Sequence, residues 1–183
     1  MEHPELVQWQ RLNENGLVEC WFTHDSLDWI NKQDWSDKIA VMFGAGLGDA
    51  WLAGKCKKLY VVERKEEWLS KAQEYSKQCG ATNIEYIFRP CNDCSGMDEM
   101  YCDIPFEVDI VIIDDAYRYE CMVKALTLPR PLILIVDNFN QDWIFDCPAA
   151  VELMEPYNPD IYPQRDHEDH AGKCWKTLVA HIQ

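Results

Sequence analysis

The chain has 183 residues, 48% of them hydrophobic, with 17 Lys and Arg against 32 Asp and Glu for a formal net charge of −15. That length fits one domain, and a chain of this size buries about 70% of its unfolded surface. The charge argues against gripping nucleic acid, which needs clustered Lys and Arg, and no window approaches a membrane span. The nine cysteines are odd in number, and the N-terminus Met1-Glu2-His3-Pro4-Glu5 has neither a basic region nor an apolar signal core. They are therefore expected as reduced thiols in a cytoplasmic protein. An acidic surface suits a small, neutral or cationic substrate. The composition specifies no oligomeric state.

Residues 1–35 are rich in Trp and polar groups and predict a helical cover beside a core of residues 36–183, with Ser26 as N-cap of a helix through Leu27, Trp29 and Ile30. The apolar run Ile39-Ala40-Val41-Met42-Phe43 predicts a buried first strand, and Gly44-Ala45-Gly46-Leu47-Gly48 a tight turn into a helix ending at Cys56. Leu59-Tyr60-Val61-Val62-Glu63 predicts a second strand with a carboxylate at its tip. A helix follows over 65–79, with Trp68, Ala72, Tyr75 and Cys79 on one face and Gly80 at its end. Ile84–Phe88 predicts the third strand, 90–107 a long loop, and Val108–Ile113 the fourth strand. Tyr117–Leu126 predicts a helix and Pro131–Val136 a purely apolar fifth strand, buried on both faces. Gln141–Met154 predicts another helix, and Tyr157–Pro163 with Cys174–Ile182 a closing hairpin. The order describes a single α/β domain: a doubly wound, Rossmann-like, mostly parallel sheet with a C-terminal antiparallel strand.

Ligands of such sheets sit outside the carboxyl ends of the strands. The candidates there are Glu63, Arg89, Asp114, Asp115, Asp137 and Asn138. Glycine lets backbone approach a nucleotide, and an acid at the second strand tip can accept from both ribose hydroxyls. The spacing is G-x-G-x-G, with Asp49 where a dinucleotide fingerprint has its third glycine. A carboxylate at a helix start repels a pyrophosphate but tolerates a sulfonium. That favours S-adenosylmethionine over NAD.

On these motifs the chain resembles the class I S-adenosylmethionine-dependent methyltransferases, from about Ser26 to the end. The stretches that carry the resemblance are "SLDWINKQDWSDKIAVMFGAGLGDAWLA", "VDIVIIDDAYRYEC", "LILIVDN" and "KCWKT". The resemblance implies that Gly44, Gly46 and Gly48 line the methionine and ribose part of the cofactor. It implies further that Glu63 binds the ribose, that Asp93 lies near the adenine, and that Asp114 faces the sulfonium and the substrate. One departure is Met42, where many members carry an acid two residues before the first glycine; Asp49 is the substitute at hand.

The implied activity is methyl transfer to an oxygen or nitrogen of a small molecule. The alternative is a non-catalytic, methyltransferase-like module that binds the cofactor or a partner. Asp114 is the expected catalytic group. His167 and His170 are candidate bases, or members of an exposed polar turn. Asp114, Asp137 and Asn138 could together hold Mg²⁺, but a metal-free site is favoured, because helix capping explains Asn138. Tyr117 and Arg118 are substrate candidates, with an Arg118–Glu120 surface pair as the other reading. Trp143 is the expected substrate wall. Cys91, Cys94 and Cys102 have half the look of a zinc site, or are loop thiols.

Overall fold

The computed structural model describes residues 10–91, 100–105, 107–115, 117–129, 131–139, 147–168 and 174–183, with backbone alone for 147, 165–168 and 174. Its elements in chain order are α1 (His24–Asn31), β1 (Trp35–Phe43), α2 (Asp49–Ala53), β2 (Cys56–Glu63), α3 (Glu66–Gln78), β3 (Ile84–Phe88) and β4 (Ile110–Ile113). Then come α4 (Arg118–Ala125), β5 (Leu132–Val136), α5 (Cys147–Met154), β6 (Asp160–Glu168) and β7 (Cys174–Ile182). A single 3-10 turn, Glu155–Tyr157, joins α5 to β6.

The seven strands form one sheet in the order β3-β2-β1-β4-β5-β7-β6. The first five in that list pair in parallel, with Met42 beside Val61 on one side and Ile112 on the other. β7 runs antiparallel to β5, and β6 antiparallel to β7 at the edge. This is the doubly wound, mostly parallel sheet expected, closed by an antiparallel pair. The chain steps outward from β1 to β3, then returns to lay β4 against β1. The chain leaves β1 for α2 on one face of the sheet and β4 for α4 on the other, so a crevice opens beyond the paired tips, at the point where strand order reverses.

Side-chain alternation puts a core on each face. Val41, Phe43, Val111, Ile113, Leu134 and Val136 pack with Met122 and Ala125 of α4 and Ala150 and Met154 of α5. Ala40, Met42, Val61, Ile110 and Ile112 pack on the other face with Leu27 and Ile30 of α1 and Trp51 and Leu52 of α2. β4 is buried at all four positions, as a central parallel strand covered on both sides must be. Each such Ile contributes roughly 1.5–3 kcal/mol relative to exposure.

Several sequence expectations shift. The cap of α1 is Thr23, not Ser26. Ser26 sits inside the first turn, where its hydroxyl donates to the Thr23 carbonyl (2.8 Å) and accepts from the Thr23 hydroxyl (3.0 Å). β1 extends back to Trp35 through a polar stretch, with a register irregularity between Trp35 and Ile39. The buried face of α3 is Leu69, Ala72, Tyr75 and Ser76. Trp68 lies off that stripe at 44% exposure, with the Lys71 ammonium 5.0 Å over its ring. β6 starts later than expected because Glu155–Tyr157 forms the 3-10 turn and Asn158 turns left-handed at φ 46°. Residues 10–23 hold no helix: they form a turn closed by a Leu12–Val18 bridge, then pack Cys20 and Phe22 into the core.

Candidate functional site

The turn after β1 is shaped by three glycines with different work. Gly44 has φ +98°, a conformation L side chains rarely adopt, and a Cβ there would stand 2.3 Å from the Asp114 carbonyl oxygen. It is the point where the β1 and β4 tips almost touch. A Cβ on Gly48 would stand 2.5 Å from the Cys20 Cα, so this glycine lets residues 10–23 press onto the turn. Around Gly46 the nearest atom to a Cβ is the Gly48 nitrogen at 4.0 Å. Only Gly46 leaves its space to the cleft.

The turn is wired to the next strand. Glu63, 4% exposed at the β2 tip, accepts from the Ala45 amide on Oε2 (2.8 Å), and from the Arg64 (2.8 Å) and Lys65 (2.6 Å) amides on Oε1. Three of roughly four lone-pair positions are thus engaged by backbone. Burial pushes its carboxyl upward against the pull of those amides, and Asp115 adds to the rise. Asp49, fully buried, does not border the cleft as expected. Its Oδ1 accepts from the Gly46 amide (3.1 Å), and its Oδ2 has no hydrogen-bond partner among the described residues. Burial pushes this carboxyl up to about 8, with Glu63 and Asp114 adding to the rise.

At the β4 and β5 tips one guanidinium gathers the oxygen atoms. Arg118, 4% exposed, donates from Nε to the Asp137 carbonyl (2.7 Å) and from Nη2 to Asp114 Oδ1 (2.8 Å) and Asn138 Oδ1 (3.0 Å). Its Nη1 donates to the Asp115 carbonyl. The Arg118–Glu120 surface pair is therefore not what forms; the first turn of α4 aims Arg118 inward. Asp137 turns its carboxylate to β7, accepting from Trp175 Nε1 (3.1 Å to each oxygen) and the Thr177 hydroxyl (2.7 Å). Asp114, Asp137 and Asn138 are indeed adjacent, but they surround a guanidinium and β7 donors. Asp115 pairs with Arg64 Nε (2.9 Å) and accepts from the Tyr101 hydroxyl. The Asp114 side chain keeps 26% of its surface open. Burial pushes its carboxyl up to about 6, against the downward pull of Arg118.

A cleft of about 1020 Å³ opens over these tips, bordered by Gly44 to Gly48, Met42, Glu63, Asp114 and Asp115. It is bordered further by Trp68 and Lys71 of α3 and by Cys20 and Trp21 from the segment before α1. Trp21, Arg64 and Trp68 were not among the sequence candidates. Arg64 follows Glu63 directly and Trp68 falls one turn into α3, so strand-tip reasoning carried two steps further reaches both. Trp21 has no such signal.

Tyr117 is buried, ring against Tyr101 and hydroxyl 2.9 Å from Cys91 Sγ. It faces the core rather than the cleft. The Cys102 thiol accepts from Cys121 at 3.3 Å, and no group of three metal-ligating side chains forms among the described residues. Asp93, Cys94, Trp143 and His170 lie outside the described residues, and of His167 only the backbone, in β6, is described.

Among solved structures, an rRNA methylase from Streptococcus thermophilus matches with a TM-score of 0.62 at 19% identity, over 87% of this chain and 96% of that one. A putative methyltransferase from Streptococcus mutans in complex with SAH gives 0.63 at 15%, over 86% and 96%. The N-methyltransferase NodS from Bradyrhizobium japonicum, in complex with S-adenosyl-l-homocysteine, gives 0.66 at 11%, over 87% and 85%. No protein-family model and no curated protein matches the chain. The architecture is the class I methyltransferase fold.

Proposed function

We propose that this chain uses its class I methyltransferase fold for S-adenosylmethionine-dependent methyl transfer to an oxygen or nitrogen of a small molecule. The observation that carries the reading is the open space at Gly46, which borders the same cleft as the Glu63 carboxylate. Gly46 and the turn backbone would hold the amino-acid end of the cofactor. The remaining lone-pair position of Glu63 would take a ribose hydroxyl, and Trp68 borders the same cleft. When bound, S-adenosylmethionine supplies a methyl carbon activated by a sulfonium.

Asp114 is the catalytic candidate, because it borders the cleft, is fixed by Arg118 through one oxygen, and keeps the other available. Its role is to orient the acceptor and take its proton. Arg118 supplies positive charge among Asp114, Asp137 and Asn138, so we assign no metal to this step; turnover should survive a chelator and gain nothing from added Mg²⁺. With 17 basic residues against 32 acidic ones, a small acceptor fits better than a nucleic acid. The buried thiols Cys56, Cys102 and Cys121 suit a reducing, cytoplasmic setting.

Calorimetry with S-adenosylhomocysteine and with NAD tests the reading. Binding of the first alone is expected. A preference for NAD, or no heat with either, overturns it. Binding without turnover on any acceptor would favour the non-catalytic module.

A further inference from the structure

Resting on that reading, we infer that Asp49 is a positioning residue of the cofactor site: without touching the ligand, it fixes the Gly46 peptide, so that the glycine turn is already shaped when S-adenosylmethionine arrives. The first observation is how each glycine of the turn is held. Gly44 lies hard against the Asp114 carbonyl, and its amide donates to the Val62 carbonyl (2.9 Å). Gly48 lies hard against Cys20. Gly46 has no such packing. The nearest atom to where its Cβ would stand is the Gly48 nitrogen, at 4.0 Å, and the residue borders the cleft. A glycine without packing contacts has a wider choice of backbone conformations than any other residue.

The second observation is that one residue holds both polar groups of Gly46. Asp49 Oδ1 accepts from the Gly46 amide (3.1 Å), and the Asp49 amide donates to the Gly46 carbonyl (3.3 Å). The peptide before it is fixed as well, since the Ala45 amide donates to Glu63 Oε2 (2.8 Å). Asp49 is itself fully buried at the start of α2, a helix buried at every position, and it does not border the cleft. It can hold the turn from behind but cannot reach a ligand in front.

The third observation is that the other half of the Asp49 carboxyl holds nothing. Oδ2 is buried and has no hydrogen-bond partner among the described residues. The nearby Tyr86 hydroxyl pulls on this carboxyl, but it donates to the Ala72 carbonyl (3.2 Å) and shares a bond with Ser76 Oγ (2.8 Å). A buried oxygen without a partner costs stability, so stability alone would favour an apolar side chain at this position. What the carboxyl contributes is an acceptor for Gly46. A turn ordered in advance spares the ligand the entropy of ordering it.

The test joins calorimetry with S-adenosylhomocysteine to hydrogen exchange at the Gly46 amide of the free chain. Asp49→Ala should weaken binding about tenfold, the scale of one lost hydrogen bond, through a less favourable binding entropy. Its Gly46 amide should exchange about tenfold faster than in the wild type. Asp49→Leu, closer in volume to Asp, controls for the space that Ala leaves and should behave like Ala. Asp49→Asn keeps an acceptor oxygen and should recover most of the affinity and of the protection. Wild-type affinity in the Ala and Leu variants, a Gly46 amide still protected in them, or an Asn variant as weak as Ala overturns the proposal. Loss of the wild-type circular dichroism spectrum in both apolar variants makes Asp49 a structural residue and overturns it too. A wild-type chain that protects Gly46 but binds no S-adenosylhomocysteine sinks the cofactor reading instead.

Discussion

At the scale of single residues, glycines of one motif part company. Gly44→Ala forces a side chain at φ +98° against the Asp114 carbonyl, and the conformation alone costs on the order of 1–3 kcal/mol. A clear fall in the urea midpoint is expected. Gly46→Ala has open space and an unstrained backbone, so the midpoint should hold or rise by about 0.4–1 kcal/mol in stability, while S-adenosylhomocysteine affinity drops. Gly46→Val should abolish binding with an unchanged circular dichroism spectrum; retained binding would put the cofactor elsewhere. Glu63→Ala should weaken binding more than tenfold. It also removes three amide-to-carboxylate bonds, worth about 1.5–3 kcal/mol each before water replaces them, so the same variant should lose stability. An affinity loss without any shift in the urea midpoint would mean that Glu63 acts on the ligand alone.

At the scale of elements, α4 holds the β4 and β5 tips together through Arg118. Replacing it with Met leaves Asp114 buried without its partner. Breaking a buried ion pair from one side costs about 3–5 kcal/mol, and the Asp114 carboxyl, relieved of the Arg118 pull, should rise further above about 6. Thermal unfolding and an NMR titration of the Asp114 side-chain carbon read the two effects; an unchanged melting temperature would show that the clamp is dispensable. The helices and parallel strands were legible because their apolar periods are long and regular: α3 is found within one residue at each end, and β3 without error. The phase of α3 was less legible. Trp68 and Leu69 are adjacent and both apolar, and only packing against β2 and β3 selects Leu69 for the core. The inward aim of Arg118 was open because the Asp137 carbonyl that it meets is nineteen residues away in sequence, whereas Glu120, two residues on, lies on a different side of the helix.

At the scale of the whole molecule, charge sets the pH response. In the unfolded chain carboxyls lose their protons near pH 4, whereas Asp49 holds its proton to about 8 and Asp114 to about 6 in the folded state. Between those limits the folded chain binds more protons, so its stability falls as pH rises. The net charge of −15 adds repulsion in the same direction. The urea midpoint should therefore be higher at pH 5.5 than at pH 8.5, and Asp49→Asn should flatten the slope; a midpoint that climbs with pH would refute the assignment. The same charge leads to the expectation that gel shifts with DNA or RNA at about 0.1 M salt show no complex. A salt-sensitive, submicromolar complex would redirect the search for an acceptor to nucleic acid.

By itself the sequence determined the sheet, the crevice and the glycine turn. Apolar period, glycine spacing and a carboxylate at a strand tip are local signals, and the right-handed crossover rule converts them into a topology. Which groups reach the cleft was decided by tertiary structure alone. Asp49 and Glu63 are both acids near the turn, yet one is turned behind it and the other stands at its mouth. Trp21 borders the cleft because Gly48 lets Cys20 approach it and because Trp175, more than 150 residues later in the chain, pins its ring. Such contacts join residues distant in sequence, and their energy depends on the packing of the finished sheet rather than on any pattern along the chain.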